Sequence, residues 1–170
     1  MTPSLTIRDE EPRDIASIAA LTRAAFEGHP HSNDTEHLII AALRRCGALT
    51  ISLVAQESDC IVGHVAFSPV TIADGSPYWY GLGPVSVAPE RQRRGIGSTL
   101  IEHGLARLSE LGATGCVVLG EPKYYQRFGF VCDPQLAYAG VPPEYFLALP
   151  LGSARAAGEV RYHEAFAAIT

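Results

Sequence analysis

Apolar and polar positions along this chain switch between a period near two and a period near 3.6, and each switch marks an element. Residues 5–8 (LTIR) read as a short strand. Pro12, suited to a first helical turn, then opens a helix in which Ile15, Ile18, Ala19, Ala25 and Phe26 share one face. Residues 28–33 (GHPHSN) form a breaker-rich loop. In the helix that follows, Leu38, Ile39, Ala42, Leu43 and Cys46 recur on one side, with Asn33 and Glu36 at capping-box spacing. Residues 49–56 and 61–72 are β-type runs joined by the acidic turn Glu57-Ser58-Asp59. A second turn, Asp74-Gly75-Ser76-Pro77, leads into another β-type run over 78–87 (YWYGLGPVSV).

The rhythm becomes helical again over 95–111, where Ile96, Leu100, Ile101, Leu105, Leu108 and Leu111 line one face and Gly112 closes the end. Residues 116–119 (CVVL) predict a short buried strand, and 122–128 a short helix stopped by Gly129. Beyond Phe130 the chain is rich in proline. There 145–149 predicts a strand, and Val160, Tyr162 and Phe166 suggest a last one. This order predicts an α/β (α+β) fold, a mixed and largely antiparallel sheet flanked by helices.

Length and composition narrow the picture. The 170 residues suit one domain, 1–170, and 47% hydrophobic content with a net charge of −5 is incompatible with wholesale disorder. No apolar run is long enough for a transmembrane helix, and the amino terminus lacks the basic start and apolar stretch of a secretory signal, so a cytoplasmic location is expected. Cys46, Cys60, Cys116 and Cys132 match no zinc or redox spacing and read as small buried apolar residues. His29, His31 and His37 have no Cys, Asp or Glu to complete a recognisable set, so no metal is expected. An acidic balance argues against nucleic-acid or membrane partners.

The chemistry concentrates in 85–98 (VSVAPERQRRGIGS), where a β run ends in a basic, glycine-containing loop that enters a helix. A helix start leaves backbone N–H groups unpaired and carries partial positive charge. Gly95 and Gly97 remove side chains that would hold a phosphate off that backbone, and Arg91, Arg93 and Arg94 add charge. The loop is neither a P-loop nor a dinucleotide fingerprint, because it lacks GK[ST] and a third glycine.

Gln92-Arg93-Arg94-Gly95-Ile96-Gly97, with Ser98 next, resembles the acetyl-coenzyme A signature of the GNAT N-acetyltransferase superfamily. Residues 124–130 (YYQRFGF) resemble that family's second block, and residues 81–130 look most like its YhbS-like branch. The resemblance implies that Val85, Ser86 and Val87 bind the pantetheine arm and thioester. It places the diphosphate on Arg91, Gln92, Arg93, Arg94, Gly95, Ile96, Gly97 and Ser98. Tyr125 matches the general acid for the departing thiolate, a role suited to a phenol that stays protonated near neutrality, whereas Tyr124, Phe128 and Phe130 are expected to pack. It implies acetyl-CoA as cosubstrate, an amine acceptor seated near 26–38 and the carboxy-terminal segment, and an enzyme in a family where dimers are common. Two departures stand out: the strand over 80–87 carries no carboxylate to act as base, and Val118 holds the place of a usual asparagine. Glu121 is one candidate for a replacement base, with a helix-start acid as its structural alternative; Glu27 and Glu36, near the acceptor loop, and proton loss through ordered water are the others. The missing carboxylate also leaves a non-catalytic coenzyme A-binding sensor or partner module open.

Overall fold

The computed structural model describes residues 4–30 and 32–167; His31, one of the three histidines weighed above as metal ligands, lies outside them. Strand β1 (Leu5–Asp9) is followed by a 3-10 turn, Pro12–Asp14, and helix α1 (Ile15–Phe26). Helix α2 (Glu36–Arg45) leads to β2 (Ile51–Glu57), β3 (Cys60–Ile72) and β4 (Trp79–Val87). Then come α3 (Ile96–Glu110), β5 (Gly115–Leu119), the single turn α4 (Pro122–Tyr125), β6 (Leu136–Ala137), β7 (Phe146–Pro150) and β8 (Gly158–Tyr162). The strands form one mixed sheet in the order β1-β2-β3-β4-β5-β7, with β8 on the far end of β3 and β6 beside β8. Among the main-path pairs only β4 with β5 is parallel.

Helix α3 covers one face. A Cβ on Gly104 would lie 2.2 Å from the ring of Phe67, so the helix approaches β3 through its bare backbone. Leu53, Val65, Phe67, Leu100, Ile101 and Leu108 form the core beneath it. On the opposite face Ile18 of α1 and Ile40 of α2 pack with Val54. Leu53 and Val54 thus feed opposite layers, as strand alternation requires. A third cluster around Trp79, Val117, Phe146 and Val160 closes the β5–β7–β8 end.

Several local expectations are corrected. Pro12 opens a 3-10 turn rather than α1 itself, and Ile15 and Leu38 are exposed because the buried stripes run through Ile18 and Leu21 and through Ile39, Ile40 and Leu43. The N-cap of α2 is Thr35, not Asn33, and Glu36 instead accepts from the Ser32 hydroxyl. Cys46, Cys60 and Cys132 are exposed, at a helix end, the start of β3 and a loop; Cys116 alone is buried. Phe166 lies in a 3-10 turn after β8 has ended at Tyr162. No helix among the described residues is long and apolar enough to cross a membrane.

Candidate functional site at the fork of the sheet

Strand β4 follows β3 from Val70 to Gly63 but stays with β5 only from Trp79 to Gly81. The cause is local. Leu82 pairs with Phe67 and Val85 with Val65, so Gly83 and Pro84 stand opposite Ala66 alone, and β4 bulges. A bulge bends its strand, and Pro84 offers no N–H to a neighbour. Beyond the bulge, β5 pairs with β7 and no longer with β4, so the sheet forks. The predicted thioester strand lies on this opened edge: Val85 and Val87 are half-buried, and Ser86, buried towards α1, donates to Thr22 Oγ1 at 3.3 Å.

From the tip of β4 the chain makes a 3-10 turn, Pro89–Arg91, and reaches α3 through two left-handed residues, Arg93 (φ 65°) and Gly95 (φ 82°). Gly95, the N-cap, has no side chain to cap the helix, so the first amides of α3 stay available. Gln92 Nε2 donates to the Val87 carbonyl at 3.1 Å and staples the loop to the strand. Beside the loop lies a cavity of about 330 Å³, lined by Val87, Arg91, Gln92, Arg93, Gly95, Ile96, Gly97 and Ser98 of the predicted set. Arg94, exposed, and Val85 and Ser86 lie outside its lining. Arg91 has part of its charge matched by Glu57, 3.1 Å from Nε.

Two further residues line the cavity, Tyr124 and Arg127. Tyr124 does more than pack: its hydroxyl is 3.2 Å from Ser98 Oγ, tying the short helix to the start of α3. The Arg127 guanidinium lies 4.4 Å from the centre of the Tyr124 ring, and its Nε donates to the Tyr124 carbonyl at 2.9 Å. Arg127 is not among the residues expected at the site from the sequence, although its place three residues after Tyr124 on a helical turn is a local signal for it.

Tyr125 sits in an aromatic nest with Tyr124, Phe128 and Phe130, at centroid distances of 5.0, 6.3 and 6.0 Å. Its ring fits because Gly120 is bare; a Cβ there would fall 2.4 Å from Tyr125 Cε2. Burial, with Tyr124 and Cys116 adding, pushes the hydroxyl up to about 12. Glu121 is exposed at the N-cap of α4 and makes no side-chain cap bond. Burial also pushes the Cys116 thiol up, which removes it as a neutral-pH nucleophile. No group of three or more His, Cys, Asp or Glu side chains converges among the described residues.

Residues 15–130 match the acetyltransferase (GNAT) family. The chain is 38% identical over 127 residues, 74% of its length and 73% of the relative's, to a protein of Escherichia coli (strain K12) named as an uncharacterized N-acetyltransferase, YhbS. A GNAT family acetyltransferase from Brucella melitensis, solved in complex with acetyl-CoA, superposes with a TM-score of 0.86 and 48% identity, covering 96% of this chain and 98% of that one. The E. coli YhbS structure in complex with CoA gives 0.90 and 32%, covering 100% and 96%.

Proposed function

This chain belongs to the GNAT family of acetyltransferases, and we propose that it is an acetyl-CoA-dependent N-acyltransferase that moves an acetyl group to a primary amine by direct attack in a ternary complex. One observation carries the reading: bare helix-start amides, two glycines and several arginines share a single cavity at the tip of a strand whose outer edge is unpaired. These groups fit a diphosphate and an extended pantetheine arm. The relatives that hold acetyl-CoA and CoA support the same cosubstrate here.

In this reading Arg91, Gln92, Arg93, Arg94, Gly95, Ile96, Gly97 and Ser98 hold the diphosphate, with Tyr124 and Arg127 bracing the far wall. The backbone of Val85, Ser86 and Val87 holds the thioester and meets the oxyanion formed on attack. Tyr125, kept protonated by its burial, donates to the departing thiolate. Glu121, open to solvent beside the acid, takes a proton from the incoming ammonium.

Calorimetric titration with acetyl-CoA, beside an R94E/G97E double variant, tests the cradle. Micromolar binding that the variant abolishes is expected, followed by CoA release in the presence of a primary amine. Absence of binding to the native chain overturns the reading. Intact binding with no transfer to a broad amine panel would instead favour the sensor alternative, whose support is a β4 without any carboxylate.

A further inference from the structure

The wall that α4 and the turn after it give to the cavity carries a cation that a diphosphate does not require. Arg127 is exposed and lines the cavity from this side, away from the loop arginines in sequence. Its guanidinium carbon lies 4.4 Å from the centre of the Tyr124 ring, and Nε donates to the Tyr124 carbonyl at 2.9 Å. These two contacts hold the head in place and leave both Nη groups without a partner among the described residues. Arg91 differs, because its Nε is 3.1 Å from a Glu57 carboxylate oxygen. No carboxylate among the described residues matches the charge of Arg127.

Depth along the cavity separates Arg127 from the loop. Tyr125 is packed inward, against Phe130 and the bare Gly120 just past β5. Tyr124 stands level with the first turn of α3, where its hydroxyl is 3.2 Å from Ser98 Oγ. Arg127 covers the Tyr124 ring and is open to solvent. From the interior outward the order is therefore Tyr125, Tyr124, Arg127. Coenzyme A laid with its thioester on β4 and its diphosphate on the α3 amides has a matching order: thioester, pantetheine, diphosphate, then the ribose with its 3′-phosphate. Charge agrees with position. The diphosphate is met by the bare amides at the start of α3 and by Arg91 and Arg93. The anion left over is the 3′-phosphate, a monoester carrying about −1.5 to −2 near pH 7. A planar guanidinium with two free Nη groups suits such a phosphate, because it can donate to two oxygens at once.

We propose that Arg127 is a specificity residue that binds the 3′-phosphate of the coenzyme, so that acetyl-CoA is preferred over acetyl thioesters of dephospho-CoA, which lack it. This rests on the acetyl-CoA reading and deepens it. The contacts with Tyr124 order the guanidinium in advance, so little side-chain freedom is lost when a ligand arrives. The Tyr124–Ser98 bond ties that cation to the amides that take the diphosphate, and the two anion sites keep a fixed spacing. Fixed spacing favours a ligand that carries both phosphate groups over one that carries the diphosphate alone.

The test is calorimetric titration of the full chain with acetyl-CoA and with acetyl-dephospho-CoA, two ligands that differ by that phosphate alone. The native protein is expected to bind acetyl-CoA about tenfold more tightly at low ionic strength. In R127A the preference is expected to vanish: acetyl-CoA affinity falls to the native value for acetyl-dephospho-CoA, which itself stays unchanged. R127M keeps a long stem over the Tyr124 ring without the charge, so it separates loss of the cation from collapse of the wall, and the same result is expected there. R93A, a loop variant on the diphosphate side, is expected to weaken both ligands by the same factor. Equal native affinity for the two ligands overturns the assignment and leaves the cosubstrate reading standing. A preference that survives in both Arg127 variants, or an equal loss for both ligands in R127M, overturns it too. A native protein that binds neither ligand overturns the cosubstrate reading itself, and the assignment with it.

Discussion

Gly97 separates a ligand cradle from a packing device. An alanine Cβ there would meet only the Tyr124 hydroxyl at 3.5 Å and Val87 Cγ2 at 3.6 Å, both ordinary contacts. The residue is helical and not in the left-handed region, so alanine gains up to about 1 kcal/mol of helix stability. G97A should therefore unfold at the native urea midpoint or above it. Its affinity should move the other way. The new methyl projects between the first amides of α3 and the cavity, and losing one charge-assisted hydrogen bond, worth about 1.5–3 kcal/mol, weakens acetyl-CoA binding roughly 10- to 100-fold. Gly104, about two turns further along α3, is the control. A Cβ there would fall 2.2 and 2.5 Å from Cε2 and Cζ of Phe67, a ring with no exposed surface and no room to yield. Overpacking of about 1–3 kcal/mol then exceeds the helix gain, so G104A should lose stability and keep its affinity. Urea unfolding followed by circular dichroism and calorimetric titration read the two quantities. A G97A protein that is destabilised yet binds normally would make Gly97 a packing residue and remove it from the cradle.

Three further outcomes follow from the geometry. Y125F should lower kcat about 100-fold at native acetyl-CoA affinity; because burial pushes the hydroxyl up to about 12, the native rate should not fall as pH rises through 10, and a fall there would contradict the assignment. R127A should weaken acetyl-CoA binding about tenfold at low ionic strength and by less in added salt, since the cation sits at the cavity wall; a salt-independent loss in titrations would point to collapse of the Tyr124 contact instead. His64 has a folded pKa of about 4 against 6.5 in the unfolded chain, so the unfolded state takes up the proton first and stability present above pH 6.5 is lost as pH falls through 4. The loss is on the order of 3 kcal/mol, and urea midpoints of native and H64Q proteins compared from pH 7 to 4.5 should show a steep decline only in the native one.

What was legible in the sequence is what short-range chemistry specifies. The apolar rhythm of 96–108 placed α3, and the buried side chains Ile96, Leu100, Ile101, Leu105 and Leu108 lie where it predicted. The glycines and arginines of the loop, and the tyrosine pair, were visible because their spacing is local. Missing were features set by distant partners. Ile15, Leu38 and Leu111 fit a helical stripe equally well, but the sheet beneath does not reach that far around or along the helices. The exposure of Cys46, Cys60 and Cys132 likewise depends on elements far off in sequence. The fork does carry a local signal, because glycine and proline inside a strand are the mark of a bulge.

The same contrast explains why the coenzyme cradle and the buried polar cluster on the α1–α2 face differ in how they are encoded. A diphosphate is met by backbone amides and nearby cations, which one loop can deliver, so the cradle is compact in sequence. Tyr125 is likewise set by neighbours, with Gly120 clearing space for its ring. The cluster of Glu10, Arg44, Ser52 and His64 is assembled otherwise. Glu10 follows β1, Arg44 ends α2, Ser52 and His64 occupy adjacent strands, and register alone brings them together. Each has an ordinary local reading: a charge after a strand, a cation at a helix end, a hydroxyl and an imidazole in β runs. Their joint meaning comes from burial, which leaves one nitrogen without a partner beside β4 and joins its other side to solvent through two hydrogen bonds.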